Sequence, residues 1–296
     1  MRQCKKFMVL TGAVLVATAA WAQYPPPQYP PEPPPMPPAQ LDPLVQRVAL
    51  YPDPLLAQVL TASTFYDQIP DAAGWANEHS YLRGPALAQA ISADQLPWDP
   101  SVLALLPFPA VLNMMAGDPA WTQQLGNAVL SERPAVMDAV QRERQLAMSY
   151  GYLQNNAYYR VINEPGAIEI LPVSPGLIYV PTYDPYVVFR RPARGFVGGV
   201  IHFGPGISIA AGFAPFGWAG PQLLWRQHSI VIGGHPWERT WANRRVYVHP
   251  YEHQFHPAGH RVERHDIHEH ERGRDEHGHD SRGHDDHGHD DHGHDR

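Results

Sequence analysis

The pattern of apolar positions divides the chain into a helical half and a strand half. From residue 41 to 152, apolar residues recur every three or four positions, as in the stripe Leu55, Leu56 and Val59. This is the spacing of one face of an α-helix. After Asn156 the apolar residues fall into short runs rich in β-branched and aromatic side chains. We therefore predict an α+β fold, in which an array of short helices precedes a small antiparallel β-sheet.

Aspartate followed by proline precedes several of the helical runs. An aspartate at the N-cap accepts hydrogen bonds from the free amides of the first turn, and a proline at the next position loses no hydrogen bond. Helix starts are therefore predicted at Asp42-Pro43, Asp53-Pro54, Asp99-Pro100 and Asp118-Pro119. A last, longer helix is predicted to begin at Pro134 and to end near Gly151.

Short apolar runs in residues 157–191 are separated by proline- and glycine-containing turns and are predicted to be strands. They are Tyr158–Ile162, Ala167–Leu171, Leu177–Val180 and Tyr186–Phe189. Residues 192–250 are predicted to form a glycine-rich β extension. Its predicted strands are Val200–Phe203, Ile207–Ala210, Ser229–Ile232 and Val246–His249.

The glycine-rich extension has an unusual charge pattern. No Lys, Arg, Asp or Glu occurs between Arg194 and Arg226. Prolines and glycines interrupt this stretch and argue against a membrane-spanning helix. An exposed apolar surface that contacts lipid or a partner protein remains an alternative to hairpins.

The first 22 residues have the organisation of a secretory signal peptide. Three basic residues (Arg2, Lys5 and Lys6) precede an apolar run, and Ala20-Trp21-Ala22 fits the small-x-small rule for cleavage before residue 23. Cleavage would also remove Cys4 and leave no cysteine, which excludes thiol catalysis, disulfides and cysteine-ligated zinc. The alternative is that the segment is retained as an amino-terminal membrane anchor.

Residues 23–40 form a proline-rich linker. Because proline fixes φ and donates no amide hydrogen bond, this stretch favours the polyproline II conformation. One interpretation is a solvated spacer. The other is a ligand for a groove lined by aromatic side chains.

The charge and the motifs of the chain argue against two large classes of function. Loss of the signal peptide would change the formal net charge from −7 to about −10, whereas nucleic-acid-binding proteins present a basic face. The sequence contains no nucleophile elbow, zinc-protease helix or phosphate-binding glycine loop. His202, His228, His235 and Glu238 offer only a weak possible grouping. We therefore predict no nucleic-acid partner and no enzymatic activity.

Several separate motifs in the first two thirds of the chain resemble one known family. The most specific stretch runs from Leu50 to Leu60 and contains Tyr51-Pro52-Asp53-Pro54. It is followed by Trp98–Val102, Trp121–Gly126, Met137–Gln141 and Ile178–Pro185. Together these segments, which fall within residues 41–191, resemble the bacterial family known as domain of unknown function 3300. The resemblance implies an exported protein of Gram-negative bacteria, and it implies no established activity and no catalytic residues.

The end of the chain repeats imidazole, carboxylate and glycine. Between His265 and Arg296 there are ten histidines, eleven carboxylates and four arginines, and Ile267 is the only aliphatic residue. Such a segment cannot bury enough apolar surface to offset the entropy of ordering it. Residues 251–296 are therefore predicted to be a disordered tail.

This tail is predicted to bind divalent transition metal ions. Neutral imidazole is a good ligand for Zn²⁺, Ni²⁺, Cu²⁺ and Co²⁺, and carboxylates can complete the coordination shell. No tightly bound cofactor is predicted. The predicted metal ligands are His277, His279, His284, Asp285, Asp286, His287, His289, Asp290, Asp291, His292 and His294. The alternative is a charged, solubilising tail with only incidental metal affinity.

The same tail is expected to respond to pH. Four arginines against eleven carboxylates give a formal charge of −7, and protonation of all ten histidines changes it to +3. Because free histidine titrates at about pH 6.5, the sign reverses on mild acidification. Protons also compete with metal for imidazole, so metal binding should weaken over the same pH range.

These observations favour a non-enzymatic protein of the periplasm or cell envelope whose histidine-rich tail binds or buffers divalent transition metals. The alternative is a structural or interaction domain that contacts an envelope protein or the membrane surface. In that case the tail only keeps the protein soluble.

Overall fold

Helices build most of the core. The computed structural model describes residues 31–192, 199–209 and 211–245. Its α-helices are α1 (Pro38–Val45), α2 (Asp53–Ala62), α3 (Ile69–Glu78), α4 (Gly84–Asp94), α5 (Pro100–Leu103), α6 (Pro109–Gly117), α7 (Pro119–Ser149) and α8 (Pro185–Val188). Short 3-10 turns occur at Ser63–Phe65, Ala211–Phe216 and Trp225–Gln227.

The strands form small antiparallel sheets. They are β1 (Tyr159–Glu164), β2 (Ala167–Pro172), β3 (Leu177–Ile178), β4 (Pro181–Thr182), β5 (His202–Phe203), β6 (Ile207–Ser208), β7 (Gln222–Leu224), β8 (Ser229–Ile232) and β9 (His235–Pro236). β1 pairs with β2, β3 with β6, and β4 with β5, while β7, β8 and β9 form a three-stranded sheet in that order. Proline has no amide hydrogen to donate to a ladder, and Pro172 closes β2 while Pro181 opens β4. The α+β class is confirmed, and the described residues of the strand half form four sheets.

Two of the Asp-Pro pairs cap helices as predicted. The carboxylate of Asp99 accepts a hydrogen bond from the Ser101 amide at 2.8 Å, at the start of α5. The carboxylate of Asp118 accepts one from the Trp121 amide at 3.1 Å, at the start of α7. The local capping rule therefore holds at these two positions.

The other two Asp-Pro pairs behave differently. α1 begins at Pro38, so the predicted helix start at Asp42 is wrong, and Asp42 instead accepts hydrogen bonds from the Arg142 side chain. α2 does begin at Asp53, but the carboxylate caps no amide of its own helix. Its partners come from other elements, and they are described below.

α7 contains a kink at Glu132, and the residue at the kink contacts the chain just before α1. Glu132 has non-helical backbone angles (φ −141°, ψ 44°) two residues before Pro134, where a separate helix start was predicted. The Glu132 carboxylate accepts a hydrogen bond from the Met36 amide at 3.0 Å, just before α1 begins. Near the other end of α1, the Trp121 indole donates to the Leu44 carbonyl at 2.9 Å. α1 thus contacts both halves of the kinked helix.

A glycine allows close contact between α7 and the turn after α2. A Cβ atom built on Gly126 would lie 2.1 Å from the Ser63 carbonyl oxygen, far inside van der Waals contact. Gly126 is the last residue of the motif Trp121–Gly126. The close contact with Ser63 explains why a glycine is needed at this position of the motif. Any larger side chain there would push α7 away from Ser63.

A buried ion pair between α2 and α7 is connected to the strand half by hydrogen bonds. Arg144 on α7 is fully buried, and its guanidinium lies 2.7 Å from the Asp53 carboxylate. The same guanidinium donates to the carbonyls of Ala49, Ile168 and Tyr51 at 2.7 to 3.0 Å. It is therefore supplied with acceptors from three different segments.

The second carboxylate oxygen of Asp53 connects this network to Trp225, which follows β7. The Trp225 indole donates to it at 2.9 Å, and the Arg144 guanidinium lies 4.7 Å from the centre of the Trp225 ring. The Ile170 amide of β2 donates to the first oxygen at 3.3 Å. Burial raises the pKa of the Asp53 carboxyl, and the charge of Arg144 opposes that rise.

The β7–β8–β9 sheet packs against the same core as the helices. Ile230 and Trp237 are almost completely buried. The Gln58 amide of α2 donates to the Gly217 carbonyl at 2.7 Å, and the Trp218 indole donates to the Ala104 carbonyl at 2.9 Å.

Some predictions fall on parts of the chain that the structure does not describe or places differently. The predicted strand Tyr186–Phe189 is wrong, because α8 occupies residues 185–188. The predicted strand Val246–His249, the signal peptide and the carboxy-terminal tail lie outside the described residues. Among the helices of the described ranges, none combines the length and apolar character that a bilayer span requires.

The buried ion pair should contribute strongly to stability. We expect Asp53→Asn to lower the free energy of unfolding by about 3 to 5 kcal/mol, because Arg144 would keep a buried charge without a counter-ion. Urea unfolding followed by tryptophan fluorescence measures this loss. Asp42→Asn, which breaks a solvent-accessible pair with Arg142, is the matched control and should cost less than about 1 kcal/mol. Equal losses in the two variants would contradict the assignment.

Candidate functional site

A groove lined by aromatic residues opens between the carboxy-terminal end of α1 and α8. Its cavity has a volume of about 600 Å³. The lining residues come from α1, α7 and α8, from the residues that follow α1, and from the residues on either side of α8. They are Pro43, Gln46, Arg47, Trp121, Asp184, Pro185, Tyr186, Phe189 and Arg190. We call this cavity the α1–α8 groove.

One wall of the groove is held by the start of α7. The Arg47 guanidinium lies 5.0 Å from the centre of the Trp121 ring and 2.8 Å from the Asp118 carboxylate. The hydrogen bond from the Trp121 amide lowers the pKa of the Asp118 carboxyl, and Arg47 lowers it further. The residues that cap α7 therefore also hold Arg47 and Trp121 in the groove wall.

The opposite wall is the short helix α8. The carboxylate of Asp184 accepts a hydrogen bond from the Tyr186 amide at 2.8 Å and so caps the helix. Tyr186 is 73% exposed, and the Arg190 guanidinium lies 5.3 Å from the centre of its ring. This large aromatic side chain is presented to solvent with a cation at its face.

Tyr183 links the segment before α8 to the end of α1. Its hydroxyl donates to the Gln46 carbonyl at 2.8 Å and accepts from the Leu50 amide at 3.2 Å. Burial of this hydroxyl raises its pKa well above the usual value. The tyrosine therefore remains neutral and serves as a link between α8 and the end of α1.

A second cavity, of about 310 Å³, adjoins the first and shares Arg47 and Pro185 with it. Its remaining lining residues are Tyr51, Ala110, Met114, Val180, Pro181, Thr182 and Tyr183. The two cavities together follow the chain from Val180 to Tyr186. Two of the motifs singled out in the sequence, Leu50–Leu60 and Ile178–Pro185, thus contribute to one elongated surface.

A buried carboxyl group lies behind this groove. Glu143 on α7 is only 4% exposed, and it accepts a hydrogen bond from the Gln46 side chain at 3.1 Å. Burial raises the pKa of Glu143 to about 7, with smaller effects from Gln46, Asp42 and Arg142.

The predicted metal ligands cannot be assessed from the structure. All of them, from His277 to His294, lie outside the described residues. They remain a prediction from the sequence. Within the described ranges, no group of three or more His, Asp or Glu side chains is arranged to hold a metal ion.

The weak grouping of histidines in the strand half is not formed. His202 lies in β5 beside Thr182, and His235 lies in β9 beside Ile232. His228 instead contacts Asp138 of α7, with its Nε2 atom 2.8 Å from the carboxylate. Within the described residues, His202, His228, His235 and Glu238 form no group that could hold a metal ion.

The groove itself was missed at the sequence level because residues 186–189 were interpreted as a strand. The signal that could have identified it was present. Asp184-Pro185 is the same Asp-Pro pair that predicted helix starts at Asp99 and Asp118. Recognition of a short helix there would have placed Tyr186 at an exposed helix start.

Comparison with known proteins identifies the family. A family model described as "Protein of unknown function (DUF3300)" matches residues 37–265. The chain is also similar to a protein of Escherichia coli (strain K12) described as "Uncharacterized protein YacH". The two are 35% identical over 214 residues, which cover 62% of this chain and 34% of the relative. The chain thus spans about a third of the length of that relative. No solved structure matches the chain.

The raised pKa of Glu143 predicts a pH-dependent stability. Because the folded state holds this proton up to about pH 7, its contribution is complete below the unfolded pKa of about 4.3 and is lost as pH rises through 7. We expect Glu143→Gln to be more stable than the natural chain at pH 8.5, by about 1 to 3 kcal/mol. The two should be nearly equal at pH 4, where the carboxyl is mostly protonated in both the folded and the unfolded state. Urea unfolding at both pH values measures the difference.

Glu164→Gln is the control for this comparison, since the Glu164 side chain is 65% exposed. It should leave the pH profile of the natural chain unchanged. A parallel profile for Glu143→Gln and the natural chain from pH 4 to 8.5 would refute the effect of burial.

Proposed function

Since this chain belongs to the DUF3300 family of proteins of unknown function, we propose a function from its own residues. The protein is an exported, non-enzymatic protein that binds or buffers divalent transition metal ions with its carboxy-terminal segment. Residues 1–22 direct it to the periplasm or cell envelope.

The single observation that carries this proposal is the composition of residues 265–296. Ten histidines and eleven carboxylates fall within 32 residues, and imidazole with carboxylate is a ligand set suited to Zn²⁺, Ni²⁺, Cu²⁺ and Co²⁺. His284, His287 and His289 are close enough in sequence to contact one ion. Gly288, between His287 and His289, permits the backbone turn that such wrapping needs.

The arrangement of ligands favours several overlapping weak sites over one rigid site. The ligands are supplied by one repeated segment, and they are not positioned by different elements of a folded scaffold. Sites of this kind exchange metal readily, which suits buffering or sensing. No step of a reaction is assigned to the bound ions.

An interaction role for the folded domain is the second candidate, and the α1–α8 groove favours it. An aromatic side chain as exposed as Tyr186 is typical of a contact surface. In this case the partner is an envelope protein or the membrane surface, and residues 265–296 only add solubility.

Isothermal titration with Zn²⁺ and Ni²⁺ tests the first proposal. We expect the full chain to bind several ions at pH 7.5 and a chain that ends at His260 to bind far fewer. Binding to the full chain should weaken by about tenfold or more at pH 5.5, because protons occupy the imidazoles. Equal uptake by the two chains, or equal binding at the two pH values, would defeat the proposal.

A composition-matched variant separates imidazole ligation from attraction by negative charge. In this variant the ten histidines of residues 265–296 are replaced by asparagine and all eleven carboxylates are kept. It should lose most of the binding at pH 7.5. A companion variant with Asp285, Asp286, Asp290 and Asp291 replaced by asparagine should retain more of it.

Removal of the segment after His260 also distinguishes the two candidate functions in cells. If metal binding is the function, the shortened chain should no longer support growth in excess or limiting metal. If the folded domain is the working part, the shortened chain should behave as the natural one. The readout is growth across a series of zinc and nickel concentrations.

A further inference from the structure

The α1–α8 groove combines aromatic rings and prolines with nearly balanced charge. Its charged lining residues are Arg47, Asp184 and Arg190, and Arg47 is already paired with Asp118. A strongly anionic ligand, such as the segment 265–296 with its formal charge of −7, would gain little from this balance. A neutral, extended ligand fits the surface better.

The lining combines the residue types that bind proline-rich ligands. Trp121, which is largely buried, and Tyr186, which is 73% exposed, both line the groove together with Pro43 and Pro185. Polyproline II segments bind between aromatic side chains because the rings pack on pyrrolidine faces, and such segments lose little conformational entropy. An arginine at each ring, Arg47 and Arg190, provides N–H donors for backbone carbonyls of such a ligand.

We propose that the α1–α8 groove binds the proline-rich segment Tyr24–Pro30 of the same chain. This segment contains four prolines and two tyrosines, and no charged residue occurs from 23 to 31. A neutral segment therefore meets a groove whose own charges are balanced. The occupant is an uncharged polyproline II peptide held within the same molecule.

The length of the chain allows this contact. From Pro37, the N-cap of α1, to Gln46 at the groove is nine residues, or about 14 Å at the helical rise of about 1.5 Å per residue. From Pro37 back to Tyr24 is thirteen residues, or about 40 Å in polyproline II, and the structure describes residues 31–36 of this stretch. The contour length of this stretch therefore exceeds the distance along α1 from Pro37 to the groove. Attachment to the same chain gives it an effective concentration in the millimolar range.

This inference does not depend on the proposed metal binding, and it is tested with EDTA present. The probe is a fluorescein-labelled synthetic peptide of residues Gln23–Pro31, followed by fluorescence anisotropy. It is titrated with the natural full chain and with a full chain that carries Pro25→Ser, Pro26→Ser, Pro27→Ser, Pro30→Ser and Pro31→Ser. We expect the serine variant to bind the peptide at least about tenfold more tightly, because its internal competitor is weakened.

Two exposed tyrosines provide a matched pair for locating the site. In the serine variant, Tyr186→Ala should weaken peptide binding by about tenfold or more. Tyr81→Ala removes a ring of similar exposure (76%) that does not line the groove, and it should leave binding unchanged. Arg190→Ala, which removes the cation at the Tyr186 ring, gives an independent test and should also weaken binding.

Three results would overturn the proposal. Equal peptide affinity of the natural chain and the serine variant would show that the segment does not occupy the groove. An absence of peptide binding to both would show that the groove does not accept polyproline II. A dimer of the natural chain that the serine substitutions dissociate, measured by light scattering, would assign the groove to the segment of a second copy.

Discussion

Arg144 carries a positive charge at a place that water does not reach, and the surrounding fold is arranged to accommodate it. Its partner Asp53 begins α2, and its other acceptors are the carbonyls of Ala49, Tyr51 and Ile168. A buried charge is tolerated only when it is paired and its donors are satisfied. The native pairing therefore requires four parts of the chain to be in place together: the turn before α2, the strand β2, the helix α7 and the Trp225 indole.

This requirement also explains the position of the α1–α8 groove. The residues from Ala49 to Asp53 follow the end of α1 directly, and Arg144 fixes them against α7. The Leu50 amide then donates to the Tyr183 hydroxyl, which in turn donates to the Gln46 carbonyl at the end of α1. One buried guanidinium thus holds the segment that follows the end of α1 beside the groove, although it does not line the groove.

The sequence predicted those features that local physics decides, and the others depend on distant residues. Asp99 and Asp118 cap helices because their partners lie two or three residues ahead. Asp53 has the same local sequence, but its carboxylate is used by Arg144 and Trp225, which lie 91 and 172 positions away. The spacing of apolar residues describes local structure, so it could not predict that Asp53 pairs with these distant residues. The groove was missed for a local reason, since four β-prone residues after Asp184-Pro185 outweighed a capping signal in the prediction.

The distance along the chain between Asp53 and Trp225 has a consequence for the order in which the molecule assembles. The helical half alone would enclose a charge pair with one face still open to water, because the indole that covers it is contributed near the end of the described chain. Contacts this remote in sequence slow the search for the native state. A growing polypeptide of this kind therefore stays incompletely packed until its final third has emerged.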